Sequence, residues 1–518
     1  MNLRGLMKKD NMRRLRIIEM LYFAKEPLSS DQFMDELGCS LPVLLNDLRF
    51  LTGDDLPFSI NKDKRLYSIE FADNASIDAV YSYMIRSNLE YQIIECLLFE
   101  ENESIQTTAK QLNCSSSNMQ RYLITTRELL AEWDLELLKR PLMIKGDELA
   151  IRHFYYIFFK EARVPFSNYK FSLRLVKAVD QLIRQILIDN EIKNNMNLHF
   201  RLMHSFLIAL RRLNKNHKIK RLYKDSGLVI PKAKELPRLV RLIRQETDLN
   251  FTETDLKECL WPLFSHQLIL NRNQQSIVHK KNKNLASFYE THHFLLEEVN
   301  NLLTVPLSQE EMVEAMRLLG NELFCFYPDK CPLEIVQESD RLIMNLMDKK
   351  YSPELRRLEN VIRDFLIPQE KEDFLPLYLG CLVTAINNIF QRLTNFDKHI
   401  RVLLLSDASN SHERFWQSIF PAYIKGSVIY EYFETPYILQ QQLTRLTKNY
   451  DLIVTNVTMT GLRSACPVIA INAYPTARDF DRIQNFINDF DLLPSRKELS
   501  NELTPTIETR KSASIATD

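Results

Sequence analysis

Apolar residues in the first 150 positions recur at helical spacing in short blocks separated by polar turns. The block from Glu103 to Leu130, ESIQTTAKQLNCSSSNMQRYLITTRELL, predicts two helices joined by a tight turn. Ser104 caps the first, and Ala109 and Leu112 share one of its faces. Asn113, Cys114 and Ser115 form the turn, because Asn tolerates the left-handed backbone that ends a helix. The second helix starts in a run of serines and turns Met119, Tyr122 and Leu123 inward. Ser116, Ser117, Gln120 and Arg121 are left exposed near its N-terminus, where a helix-turn-helix reads base edges and phosphates.

The same order occurs upstream. Ser29 to Leu51, SSDQFMDELGCSLPVLLNDLRFL, predicts a capped helix to Leu37, a Gly38-Cys39 turn, and a helix capped by Ser40 and buried through Leu44, Leu48 and Leu51. Gly38 supplies a positive φ without a Cβ penalty. The second helix of this unit exposes Leu41, Pro42, Asn46 and Arg49, a poor base-reading set. Ser40, Asn46 and Arg49 are its candidate DNA contacts, and it is expected to read weakly and lean on DNA shape. Asn11 to Phe23 predicts a preceding basic helix, with Leu15, Ile18, Met20 and Leu21 inward and Arg13, Arg14 and Arg16 outward. Pro57–Ile60 and Leu66–Ile69 alternate as strands around the turn Asn61-Lys62-Asp63-Lys64-Arg65. Lys62, Lys64 and Arg65 there make either a wing that grips phosphates or a solvated charged loop. The later unit is also followed by candidate strands, Leu135–Leu138 and Leu142–Ile144, around Lys139-Arg140-Pro141. A long helix follows from about Glu148.

From about Arg152 to Phe396 the pattern is helix after helix, in two halves of like layout. Ser172–Ile188 with Met196–Leu213 corresponds to Ala286–Leu303 with Ser308–Phe326, with further helices near Asp255–Leu270 and Pro368–Arg392. Arg211 to Arg244 is strongly basic and reads as a solvated inter-helix loop or as a supplementary DNA or phosphate contact. After His399 the pattern changes. Short β-branched runs at Ile400–Leu405, Val428–Phe433, Asp451–Thr455 and Pro467–Asn472 alternate with helical stretches Glu413–Ala422, Tyr437–Leu446 and Ala477–Phe490. That alternation predicts a small α/β domain with a parallel sheet.

At 518 residues the chain needs three to five domains, and 9 glycines argue against phosphate chemistry built on Gly-rich loops. Lysine plus arginine and aspartate plus glutamate balance at 67 each, and the N-terminal part is slightly acidic. DNA binding therefore has to come from local patches. The 8 cysteines are scattered with no C-x-x-C pair, as expected of buried thiols in a reducing compartment. With no secretory h-region and no run of membrane-spanning length, the expectation is a cytoplasmic protein with no membrane partner. No metal site or cofactor is expected: His292 and His293 diverge on a helix, and Cys325 and Cys331 lack a nearby histidine at ligand spacing.

This order resembles the Mga family of virulence regulators of Gram-positive cocci, related to the AtxA-like and RofA-like regulators. ELGCSLPVLLNDLRFL keeps Leu37, Gly38, Ser40, Asp47, Leu48 and Leu51 of the family's L-G-x-S-x-x-T-x-x-x-D-L-x-x-L pattern, and IKGDELAIRHF resembles the boundary before the helical domains. The resemblance implies a mainly α, multidomain fold. Its parts would be a winged helix-turn-helix (1–72), a second helix-turn-helix (73–150), two domains like the phosphotransferase-system regulation domain (PRD; 151–280 and 281–396), a small α/β domain like an enzyme IIB (397–493) and a disordered tail (494–518). Leu202-Met203-His204-Ser205-Phe206 with Arg211 looks like the phosphoacceptor pattern of the first repeat, and His266 in LFSHQLIL stands near a second acceptor position. The corresponding place in the second repeat, Arg317 to Asn321, has no histidine. Working enzyme IIB proteins of the related class carry a phosphate-accepting Cys after their first strand. Here Leu405-Ser406-Asp407-Ala408-Ser409-Asn410 has none, so that domain is expected to serve dimerisation or sensing, with Cys466 in its core.

The reading is a non-enzymatic, homodimeric transcription regulator that binds double-stranded promoter DNA and activates virulence or metabolic genes. Phosphotransferase-system carriers such as HPr would tune it through His204 and His266. The alternatives are an RNA-binding antiterminator, which would open with a β-rich RNA module, and a phosphotransfer component, which would need an activated nucleophile.

Overall fold

The computed structural model describes residues 3–24, 26–52, 56–100, 104–192, 196–266, 268–323, 334–336, 352–393, 400–406, 410–424, 426, 428–432, 447–456 and 466–490. They are mostly helical and form two compact units. One comprises Met1–Leu296, Ser308–Leu342 and Leu366–Ala385; the other comprises Glu297–Leu307, Ile343–Phe365 and Ile386–Asp518. No described helix is long and apolar enough to cross a membrane.

The first unit opens with α1 (Lys9–Phe23), β1 (Leu28–Ser29), α2 (Ser30–Leu37), α3 (Leu41–Phe50), β2 (Phe58–Asp63) and β3 (Leu66–Phe71). Ser29 and Gln32 form a reciprocal capping box on α2, and Gly38 ends that helix at φ 59°. Ser40 occupies the N-cap of α3, but its side chain accepts no backbone hydrogen bond. The expected cap is absent, and Pro42 in the first turn has no N–H to offer. The three strands pair antiparallel in the order β1-β3-β2. Register runs on to Lys62 opposite Tyr67 and Asp63 opposite Leu66. The predicted five-residue turn is thus shortened to Lys64-Arg65, with Lys64 at φ 54°.

Next come α4 (Ile77–Ser87), α5 (Leu89–Phe99), α6 (Ile105–Gln111), α7 (Ser116–Ala131), and the antiparallel hairpin β4 (Glu136–Lys139) and β5 (Leu142–Lys145). The helical region continues as α8 (Glu148–Glu161), α9 (Leu173–Asp189), α10 (Met196–Asn214), α11 (Pro237–Glu246), α12 (Glu253–Cys259), α13 (Trp261–Phe264), α14 (Arg272–Lys281), α15 (Lys283–Leu302), α16 (Gln309–Leu323), α17 (Ser352–Leu366), α18 (Leu375–Ala385) and α19 (Ile389–Leu393). One hydrophobic core runs without a break from Leu3 through the α8 aromatics Phe154, Tyr155, Phe158 and Phe159 to the α13 region. Helix α10 packs against both α5 and α8, so the helix-turn-helix region and the helices that follow it share that core.

In the second unit, β6 (Ile400–Leu405), α20 (Asn410–Tyr423), β7 (Val428–Tyr432), β8 (Leu452–Thr455), β9 (Val468–Ala470) and α21 (Ala477–Phe490) include a four-stranded parallel sheet of order β7-β6-β8-β9. The β-branched and leucine runs of β6 and β8 are buried on both faces, as a parallel sheet requires. Cys466 is buried beside Leu403, Leu405, Tyr450 and Ile453. The helix expected at Tyr437–Leu446, the tail from 494, and Cys325 and Cys331 lie outside the described residues.

Candidate nucleic-acid interface

Helices α6 and α7 build the later helix-turn-helix as their residues dictate. Ser104 Oγ accepts from the Thr107 N–H at 3.3 Å, and Ser115 Oγ accepts from the Asn118 N–H at 3.2 Å. Asn113 makes the turn at φ 51°. The Cys114 N–H donates to the Ala109 carbonyl at 2.9 Å, and Ala109 is buried where the two helices meet. Met119, Tyr122 and Leu123 fix α7 on the core. The outward stripe is Ser116, Ser117, Gln120 and Arg121, all exposed. These positions fall on one face within the first turns, where the helix dipole favours an anion. Arg121 lies 5.4 Å from the Tyr122 ring centroid, which orients its guanidinium. The β4–β5 hairpin adds exposed Lys139, Arg140 and Lys145. These three were not among the candidate contacts, although the Lys139-Arg140-Pro141 turn was the signal that could have named them.

The earlier unit differs from expectation. Arg13 and Arg14 were placed outward; instead both bind the fully buried Asp47 of α3, Arg14 Nε at 2.9 Å and Arg13 through its own Nε. A buried carboxylate needs compensating donors, and these two arginines supply them. The Arg14 guanidinium also lies 3.7 Å from the Phe50 ring centroid. Ser40, Asn46 and Arg49 are exposed, but so are Leu41, Val43, Leu45 and Phe50, which makes the outer face of α3 largely apolar. Lys62, Lys64 and Arg65 are exposed on the hairpin, with Lys62 Nζ 5.5 Å from the Tyr67 ring centroid.

The two regulatory histidine candidates are both buried. His204, on α10, is 5% exposed and enclosed by Phe166, Tyr169 and Phe200. Its Nδ1 shares a 2.8 Å hydrogen bond with the Tyr169 hydroxyl, and burial pushes its pKa down to about 4. His266 is 1% exposed and stacks on Tyr223 with centroids 3.8 Å apart. Its Nε2 lies 3.0 Å from the Asp225 carbonyl, and burial lowers its pKa too. On α15 His292 is buried, with Nδ1 2.7 Å from the Phe288 carbonyl and Nε2 2.7 Å from the Tyr378 hydroxyl.

Arg211 and Arg212, which open the basic stretch and close the predicted helix Met196–Leu213, lie on α10 and are engaged. Arg211 donates to the Tyr169 and Lys170 carbonyls, each at 2.6 Å. Arg212 is buried and bridges Glu148 at 2.8 Å and Glu100 at 2.6 Å. Arg152 binds Glu148 and Glu258, each at 2.9 Å, and His217 Nε2 reaches Glu100 at 2.9 Å. Burial alone would raise the Glu148 pKa, but Arg212 and Arg152 outweigh it and hold the carboxyl below its ordinary value. The Glu100 carboxylate is therefore paired with Arg212 and does not add to the exposed acidic charge. Among the described residues no group of three or more His, Cys, Asp or Glu is placed to hold a metal ion.

A capped two-helix unit with a polar outward stripe and a following basic hairpin defines the class of helix-turn-helix proteins. Residues 73–159 match the Mga helix-turn-helix domain, so the segment that carries α6 and α7 is a domain of that kind. Along its length the chain is similar to Mga-like regulators. It is 21% identical over 495 residues to the capsule synthesis positive regulator AcpB of Bacillus anthracis, covering 93% of this chain and 99% of that one. It is 20% identical over 477 residues to a protein of Streptococcus pneumoniae named as a trans-acting regulator, covering 88% and 93%. Similarity to the capsule synthesis positive regulator AcpA of Bacillus anthracis is 22% over 223 residues, 41% and 44% of the two chains.

Proposed function

We propose that this chain is a double-stranded-DNA-binding transcription regulator, read out by α7. The observation that carries this is the exposed Ser116, Ser117, Gln120 and Arg121 stripe on a helix fixed by Met119, Tyr122 and Leu123, inside the segment that matches the Mga domain. Gln120 and Arg121 contact bases or phosphates. Ser116, Ser117 and the hairpin cations Lys139 and Arg140 position the helix on the backbone. The α3 unit, with Ser40, Asn46, Arg49, Lys62, Lys64 and Arg65, contributes a weaker contact. Because AcpA and AcpB are named positive regulators, activation is the proposed sign. Dimerisation follows from the two-fold logic of DNA sites.

Phosphotransferase-system control through His204 and His266 belongs to the same proposal. Both imidazoles are buried, so a carrier such as HPr reaches them only when the surrounding helices open. A phosphoryl dianion would then keep them open or be captured by arginine. The parallel order β7-β6-β8-β9 supports an enzyme-IIB-like role for the last domain in dimerisation or sensing.

The test is direct binding of the full chain to promoter-length duplex DNA and to a hairpin RNA of equal charge. Salt-sensitive preference for the duplex is expected; preference for the RNA would replace this reading with that of an antiterminator.

A further inference from the structure

Within the basic Arg211–Arg244 stretch, Arg212, Lys215 and His217 meet Glu100, and the cations that follow them take no part in that network. Arg211 and Arg212 lie in the last turn of α10 and are held by the Tyr169 and Lys170 carbonyls and by Glu100 and Glu148. Lys218 and Lys220 lie beyond that turn and are exposed. The fold carries them to the second hairpin. A surface cavity of about 190 Å³ is lined by Met143, Lys145 and Gly146 from the β5 side, and by His217, Lys218 and Lys220 from the segment after α10. Arg212 and Glu148 also line it, and they are bonded to each other. Lys145 and Lys218 are exposed, and Lys218 Nζ approaches Asp255 at 3.7 Å. Lys145 and the Lys218–Lys220 pair, distant in sequence from each other, thus converge on one shallow site whose carboxylate is already compensated.

We propose that Lys145, Lys218 and Lys220 form a phosphate clamp for the backbone of duplex DNA passing the second hairpin, so that the helical region contacts DNA directly. This rests on the DNA-binding reading. A cavity this small does not enclose a metabolite, for which about 300 Å³ or more is usual. Its recognition groups are flexible point-charge ammonium donors, which suit a phosphodiester approached from outside. They carry no base information, so their contribution is independent of sequence.

The experiment is a salt series on the full chain with a promoter-length duplex, comparing wild type with K145A/K218A/K220A. The slope of log K against log salt is expected to shrink by roughly 0.9 per lost contact, about 2.7 in all. Preference among DNA sequences stays as in wild type, and K145R/K218R/K220R restores the slope. An unchanged melting temperature shows that the alanine variant is folded. Equal slopes and affinities for wild type and the alanine variant overturn the clamp while leaving the DNA reading intact. Wild type that binds no duplex overturns both. A third arm adds inorganic phosphate. Stabilisation by phosphate that is lost in the alanine variant, with DNA binding unchanged, makes the site one for small anions and overturns the clamp.

Discussion

Arg212 on α10 donates to Glu100 at 2.6 Å and to Glu148 at 2.8 Å, and so ties the residue that ends α5 to the helix that carries His204. Glu100 stands shortly before α6, the first helix of the helix-turn-helix.

Arg212→Met is expected to lower stability by roughly 3–5 kcal/mol, the usual cost of leaving a buried carboxylate short of a partner. Glu100→Gln should cost less, because Glu100 is more exposed than Glu148 and its neutral amide still accepts from Arg212. Denaturant titration of the two variants checks the order. Equal, small losses would mean that Arg212 is not the keystone of this network.

Stability should fall with acid in two windows. His204 and His292 are held at about 4 by burial, with an unfolded value near 6.5. Their folded pKa values are depressed, so this stability is present above about 6.5 and is lost as pH drops toward 4. Glu148, also depressed, contributes stability that is present above about 4.5 and is lost below it. His204→Phe should reduce the slope of unfolding free energy by up to about 1.4 kcal/mol per pH unit in the first window. It should also cost about 1–3 kcal/mol at neutral pH, because the buried Tyr169 hydroxyl loses its partner. Denaturant titrations from pH 4 to 8 measure both.

At Gly38 a Cβ would meet nothing within 4 Å, so only the backbone resists substitution at φ 59°. Gly38→Ala is expected to lower stability by about 1–2 kcal/mol and Gly38→Asn by less, since Asn visits the left-handed region more readily. Thermal melts of the two variants decide. A larger loss for Asn would contradict the turn geometry.

Asp47→Asn should remove charge-assisted bonds from Arg13 and Arg14 at a cost of about 2 kcal/mol. The freed arginines should raise non-specific DNA affinity at low salt. Loss of DNA affinity in a folded variant would mean that Asp47 orients α3 for reading.

Features set by local chemistry were legible in the sequence. The Ser104 and Ser115 caps, the Gly38 and Asn113 turns and the buried Met119, Tyr122 and Leu123 follow from neighbours a few residues away. What was not legible depends on partners far along the chain. Arg13 and Arg14 look like surface cations until Asp47 is folded beneath them, and Arg212 looks like one more cation of a basic stretch until Glu100 and Glu148 meet it. His204 matches a spacing pattern, but its burial comes from Phe166 and Tyr169, which no helical periodicity brings to it. Charged residues interrupt the alternation at Lys62 and so predict a turn there, yet the register with Tyr67 continues the strand.

The most direct test of the central claim is binding of the full chain to promoter-length duplex DNA over a salt series, beside a Q120A/R121A variant. The prediction is steep salt dependence in wild type and loss of specific binding in the variant, with the fold intact by melting temperature. Equal specific binding by the two proteins would contradict α7 as the reading head.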